Sequence, residues 1–382
     1  MFIARGGGGV QQRQTRSRPL CRTWKIEPCG PDLERLGASL KIALRVLAGL
    51  VLLVVTLAAA ALAWLAYPGR PGASHALAFD GYILLPRHGF LNVLDYMNVE
   101  DRWLFVSGAS AGSVFRIDLG AAKPSVTEWR GDGRTHGIVL GGAQDLAFVT
   151  RSGVNAVDVF NPSTLAHLAR IPVADDPDAI AYDPKHKIIY VANGDAGLAT
   201  LIDVAMRAKA GTIALGGKPE FAAYDPVSGL IYQNIESTNE LAAIDLGERR
   251  IVGRWTVRPC ESPTGLAIDS ANRRAFIVCG KNALLVVFDL EHGRPVQSLK
   301  TGFGPDGVAF DAGLRRIYAT GLAGNVSVTA EIGPDLYRNL DLVSTHFAAH
   351  TLAVDPHTHK LYVGYASLGV SPRIAVFSPT LH

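Results

Sequence analysis

The sequence predicts an all-β domain, a seven-bladed β-propeller closed by an N-terminal strand and preceded by one transmembrane helix. Three observations carry that expectation. An uncharged apolar run lies near the N-terminus. A unit with a period of about 43 residues then recurs seven times. The last unit stops one strand short, and a strand-like segment ahead of the first unit is free to complete it.

The apolar run comes first. From Val46 to Gly69 the chain reads VLAGLVLLVVTLAAAALAWLAYPG, without a charge. A helix needs about 20 apolar residues to cross a bilayer core, and residues 46–67 supply them. Trp64 and Tyr67 sit where interfacial aromatics belong, and Pro68-Gly69 ends the helix. Residues 1–45 hold nine Lys/Arg against three acids, a balance of +6, so the other 337 residues of the +3 chain stand at −3. By the positive-inside rule residues 1–45 are a cytoplasmic tail, disordered for want of apolar periodicity, and the span is a signal-anchor. Everything beyond it is then extracytoplasmic, on the periplasmic side of a single-pass cytoplasmic-membrane protein. Small-residue sites at Ala58–Ala63 and Ser74-His75-Ala76 keep an alternative open, a cleaved signal that leaves a secreted or periplasmic protein. The slightly acidic remainder argues against nucleic acid as a partner.

The repeats occupy residues 78–382. Each unit has a short apolar strand ending in Asp, a turn, an apolar strand with an aromatic, another turn, and a strand ending in Asp, as in DAIAYDPKHKIIYVANGDAGLATLID at 178–203. The aromatic falls at Phe105, Phe148, Tyr190, Tyr232, Phe276, Tyr318 and Tyr362, with spacings of 43, 42, 42, 44, 42 and 44. Apolar alternation of two, with Gly or Pro in the turns, excludes a helical solenoid and matches four-stranded blades. Nine residues before the aromatic stand Ala181, Ala223, Ala267, Ala309 and Ala353, small side chains suited to the crowded axis. The last unit has strands near 351–355, 360–365 and 373–378 only. The segment Tyr82-Ile83-Leu84-Leu85-Pro86 resembles a fourth strand and is expected to close the ring there.

With the run Tyr190-Val191-Ala192-Asn193 inside its repeat, residues 78–382 resemble the YVTN-repeat, YncE-like β-propeller family. The resemblance implies the architecture. It implies no activity, because propellers serve lactonases, dehydrogenases and pure binding modules alike.

Motif by motif, most candidate chemistry dissolves into turns. Gly108-Ala109-Ser110-Ala111-Gly112 spells the hydrolase elbow, but it aligns with the hairpin turn at Asn193 to Gly197 of another unit. The GxGxxG at Gly302–Gly307 precedes no helix. No CxxCH or HExxH occurs, which argues against covalent haem and a zinc protease. His357 and His359 lie in a turn, and Asp118, Asp203, Asp245 and Asp289 enter tight turns as caps. Cys21 and Cys29 in the tail are expected as free thiols. Cys260 enters the hairpin whose second strand ends at Cys279, so these two are expected to form a disulfide in an oxidising compartment.

The functional expectation comes from register. Twelve residues before the aromatic, at the mouth of each innermost strand, stand His136, Asp178, Glu220, Thr264, Asp306 and His350. A two-residue shortening brings Asp95 to the same place in the first unit. These seven form the expected ligand-binding ring, and converging carboxylates there should raise some of their own pKa values and those of both histidines. No catalytic residue is assigned and no cofactor is evident. A divalent cation is a candidate ligand of a subset of Asp95, His136, Asp178, Glu220, Asp306 and His350, drawn from adjacent blades: either His136, Asp178 and Glu220, or Asp306, His350 and Asp95. The expected protein is a membrane-anchored extracytoplasmic binding propeller whose partner is an unknown small ligand or an envelope protein. The alternatives are a metal-assisted lactonase or related hydrolase, and a scaffold for envelope proteins.

Overall fold

A computed structural model describes residues 32–66, 71–142 and 146–380, with side chains in the helix described over 38–63. The chain divides into two units, residues 1–60 and 61–382. The expectations for Cys21, Cys29, Trp64, Tyr67 and Pro68-Gly69 fall outside the described residues or side chains.

The described residues of the first unit form one helix. The helix spans Asp32–Ala66, so residues 32–45, expected as tail, continue it toward the N-terminus. Leu, Ala, Lys and Arg in this stretch are strong helix formers. Ala38–Ala63 is long and apolar enough to cross a membrane, and its large side chains, Leu47, Leu52, Val54 and Leu57 among them, are exposed.

In the second unit the described strands form seven four-stranded antiparallel sheets and one two-residue ribbon, Leu91–Asn92 with Ser367–Leu368. The innermost strands of blades 1 to 7 are Met97–Glu100, Arg134–Gly141, Pro177–Asp183, Pro219–Asp225, Pro263–Asp269, Pro305–Asp311 and Ala349–Val354. Blade 7 is completed as expected: Leu77–Leu84 pairs antiparallel with Arg373–Pro379, with Tyr82 opposite Ala375 and Ile83 opposite Ile374. The seven repeat aromatics are all buried between sheets, none more than 3% exposed. Burial of each such side chain contributes roughly 1.5–3 kcal/mol, which is why their spacing is held so evenly.

Turns are capped by the aspartates that end the strands. The carboxylates of Asp183, Asp225, Asp269, Asp311 and Asp355 accept backbone N–H groups from the hairpin that follows each innermost strand. Asp118, Asp203, Asp245 and Asp289 do the same after the third strands. His359 belongs to this scheme, since its Nδ1 lies 3.0 Å from Asp311 of the neighbouring blade. Ser110 sits in a single 3-10 turn, Ala109–Ala111, where its hydroxyl accepts the Val93 N–H at 2.9 Å, so the elbow-like motif is a hairpin turn. The disulfide joins Cys260 to Cys279, with Cα atoms 5.3 Å apart. Cys279 pairs in register with Pro263, so strand exit and strand entry meet there. Closing a loop of this size contributes about 3 kcal/mol by chain entropy.

Candidate functional site

One backbone irregularity, repeated in the blades, builds the mouth. In blade 3 the pairing jumps from Pro177 opposite Asn193 to Ile180 opposite Val191, so Asp178 and Ala179 together face Ala192. The same bulge places Glu220 and Phe221 opposite Asn234, and Asp306 and Gly307 opposite Thr320. His136, Thr264 and His350 sit in equivalent bulges. In blade 1, Asp95 donates its N–H to the Ser107 carbonyl while Tyr96 accepts from the Ser107 N–H, giving the same two-to-one count. A bulge frees a residue from the ladder and re-aims its side chain. The shortening inferred for blade 1 lies in its first hairpin, which has only Asp101 and Arg102 between Glu100 and Trp103.

In three blades the residue facing the bulge ties its blade to the next. The Ser107 hydroxyl donates to the His136 carbonyl, Thr150 to the Asp178 carbonyl at 2.7 Å, and the Asn234 amide to the Thr264 carbonyl at 2.8 Å. Each ring residue is thus held by its own bulge and, in these blades, by a polar side chain of the blade before it. Gly137 follows from the same close approach, because a Cβ there would lie 2.7 Å from the Asp178 carbonyl oxygen.

All seven expected residues line one cavity of about 320 Å³, together with Tyr96, Lys218, Phe221, Gly265, Gly307 and Thr351. Their side chains do different things. Asp95 Oδ2 lies 2.6 Å from His136 Nδ1, and His136 Nε2 lies 2.8 Å from the Ser152 hydroxyl. Asp178 Oδ1 is 3.7 Å from the same Nδ1. Across the mouth, His350 Nδ1 lies 3.3 Å from Asp306. Lys218 bridges Glu220 at 2.8 Å and Glu236 at 3.1 Å. The Thr264 hydroxyl donates to the Pro305 carbonyl at 3.0 Å, a contact between blades.

Titration reflects this crowding. Burial, reinforced by Asp95, pushes the Asp178 carboxyl up to about 7 against the pull of His136. Glu220 is pushed up to about 7, first by burial and then by Asp178, with Lys218 opposing. Burial disfavours the charged forms of His136 and His350, yet the hydrogen bonds to Asp95 and Asp306 and the negative charges of the mouth carboxylates together outweigh it and raise both. Burial, then the four mouth carboxylates, holds the Tyr96 hydroxyl well above its ordinary value.

Among the described residues, the donor atoms that converge tightly enough for one metal ion belong to Asp95, His136 and Asp178, all within 4.8 Å of one another. That set crosses the two adjacent-blade subsets expected from sequence, because His136 turns to Asp95 and Asp306 turns to His350. Ser152 would support such an ion by accepting the Nε2–H of a His136 bound through Nδ1.

Six further residues line the cavity beyond the seven expected from sequence, and three of them, Tyr96, Phe221 and Lys218, have large side chains. Tyr96 and Phe221 each follow a ring residue by one position, and their rings stack with centroids 5.2 Å apart. The other positions of that layer are Gly137, Ala179, Gly265, Gly307 and Thr351. Lys218 precedes Glu220 by two residues. The signal for the aromatics was present in the register, as two large residues in an otherwise small layer.

The fold and this mouth define a seven-bladed β-propeller with a polar axial cavity. No family model matches the chain, and no curated protein does. Among solved structures, a chain of Kuenenia stuttgartiensis hydrazine synthase superposes with a TM-score of 0.60 at 15% identity, covering 69% of this chain and 89% of that one. At that identity the likeness establishes the propeller fold alone.

Proposed function

We propose that the protein is a membrane-tethered, extracytoplasmic binding propeller of the YVTN-repeat kind, whose ligand enters the polar cavity at the mouth of the ring. The observation that carries this reading is the convergence of seven separately encoded bulge residues on one cavity. Strand capping alone would leave such residues facing solvent one by one. Four carboxylates there make the site attractive to cations and repellent to anions. Native mass measurement of the purified full-length protein should show a retained small adduct, weakened or lost in Asp95→Asn and Asp306→Asn proteins. No adduct, with no ring substitution altering the melting temperature in a ligand screen, would reject the site.

The tether and its side rest on the apolar helix, the basic residues before it and a disulfide suited to an oxidising compartment. Fusions after residue 80 should give active alkaline phosphatase and inactive β-galactosidase; the reverse pattern would place the propeller in the cytoplasm. A mature N-terminus near Leu77 would instead mark a cleaved signal.

A second reading is favoured by the convergence of Asp95, His136 and Asp178. A divalent ion held there would polarise a carbonyl and activate water, as in a metal-assisted lactonase or related hydrolase. Stoichiometric metal in the purified protein separates this reading from binding alone, and a co-purifying envelope protein would favour the scaffold.

A further inference from the structure

We infer that the mouth cavity takes a compact primary ammonium, held by the Asp178 carboxylate beside the Tyr96–Phe221 pair. The inference rests on the mouth being the ligand site and adds the chemistry of the ligand. Three of the four mouth carboxylates already have their own cation: Asp95 has His136 at 2.6 Å, Asp306 has His350 at 3.3 Å, and Glu220 has Lys218 at 2.8 Å. Asp178 does not. His136 stands 3.7 Å away and is engaged by Asp95, and among the described residues no donor comes within hydrogen-bond distance of the Asp178 carboxylate. Its side chain is only 27% exposed. A largely buried carboxylate without donors is costly, so a ligand that brings both charge and N–H groups gains most at this point.

The layer beneath the ring adds the second half of the argument. Tyr96 and Phe221, on blades 1 and 4, meet across the axis at 5.2 Å and an interplanar angle of 18°. Both rings line the same cavity as Asp178, and the aromatic and apolar surface they present there attracts an ammonium and its methylenes. A hydrated metal ion makes no use of such surface, and a metal at His136 Nδ1 must first displace the proton shared with Asp95. A neutral polar molecule leaves the uncompensated charge in place, and an anion is repelled. The volume of about 320 Å³ limits the ligand to a short carbon body.

Calorimetric titration of the full-length protein in detergent at pH 7.5 tests this, with butylamine as probe, butanol as its neutral isostere, tetramethylammonium as a cation without N–H groups, and Ca²⁺, Mn²⁺ and Zn²⁺. Butylamine should bind, tetramethylammonium more weakly, and butanol not measurably. Asp178→Asn should weaken butylamine at least tenfold and Phe221→Leu about threefold. Equal binding of butanol, or an unchanged affinity in Asp178→Asn, overturns the inference. Binding of a divalent ion without butylamine also overturns it, while leaving the mouth as the ligand site. If no probe binds and no ring substitution changes the native mass, both readings fall.

Discussion

A chain shortened to begin at Arg87 will fail to form a monomeric propeller, whereas one beginning at Pro71 will melt cooperatively as a monomer. The C-terminal part of blade 7 supplies only Ala349–Val354, Leu361–Tyr365 and Arg373–Pro379, and Leu77–Leu84 fills the outer edge. Three large buried aliphatic side chains leave with the shorter chain: Leu77, Ile83 and Leu85, exposed by 3%, 7% and 2%. Leu77 packs in the cluster of Phe377 and Val343, and Ile83 and Leu85 in that of Leu94 and Ile374. At roughly 2 kcal/mol each their loss removes about 6 kcal/mol, comparable with the whole stability of many domains. It also bares the Arg373–Pro379 edge, a template for pairing with another chain. Contacts that pin the segment from upstream, such as the Ser74 hydroxyl on Asp341 at 2.7 Å, are retained when the chain begins at Pro71. Size-exclusion chromatography and thermal melting by circular dichroism decide the matter. The shorter chain should oligomerise or melt more than about 10 °C lower; a monomer with an unchanged transition would mean that blade 7 closes without this strand.

That closure was legible in the sequence because repeats impose a count, and a missing strand in one unit demands a donor elsewhere. The buried aromatics were legible for a related reason: packing between sheets tolerates little drift in their positions. Ring membership followed from the same register, since every ring residue sits at the same bulge. Pairing within the ring did not follow. His136 is drawn to Asp95 rather than to Glu220 by side-chain direction at two bulges, which no spacing encodes. Lys218 lies in the loop that enters blade 4, outside the repeat pattern, so the neutralisation of Glu220 and Glu236 was invisible. The helix runs beyond the expected span toward the N-terminus through residues that include Lys41 and Arg45, which are good helix formers.

Replacing Asp178 by Asn will stabilise the protein at pH 8 and leave it nearly unchanged at pH 4. In the folded chain the carboxyl is pushed up to about 7, by burial first and by Asp95 next. In the unfolded chain it titrates near 3.9. Between those values the native state keeps a proton that the unfolded chain has released, so stability falls as pH rises from about 4 to 7 and changes no further above that. A difference of about 3 pH units corresponds to roughly 4 kcal/mol at most. With the side chain 27% exposed and His136 opposing, about 2 kcal/mol is the expected gain. The groups facing Asp178 are Asp95, His136, Asp176, Glu220 and Asp306, with Tyr96 and Lys218 on the same cavity. Glu220, His136 and His350 are all raised in the folded state, so each adds to the same downward slope with rising pH. Urea unfolding of both proteins at pH 4.5 and pH 8 measures the difference. A gain equal at the two pH values, or a loss at pH 8, would show that Asp178 is satisfied within the ring. A gain confined to pH 8 means that the fold carries an uncompensated negative charge at its mouth. A ligand at 100 times its Kd offsets about 2.7 kcal/mol, enough to balance that charge. Such a position is expected where a residue is kept for binding and against stability.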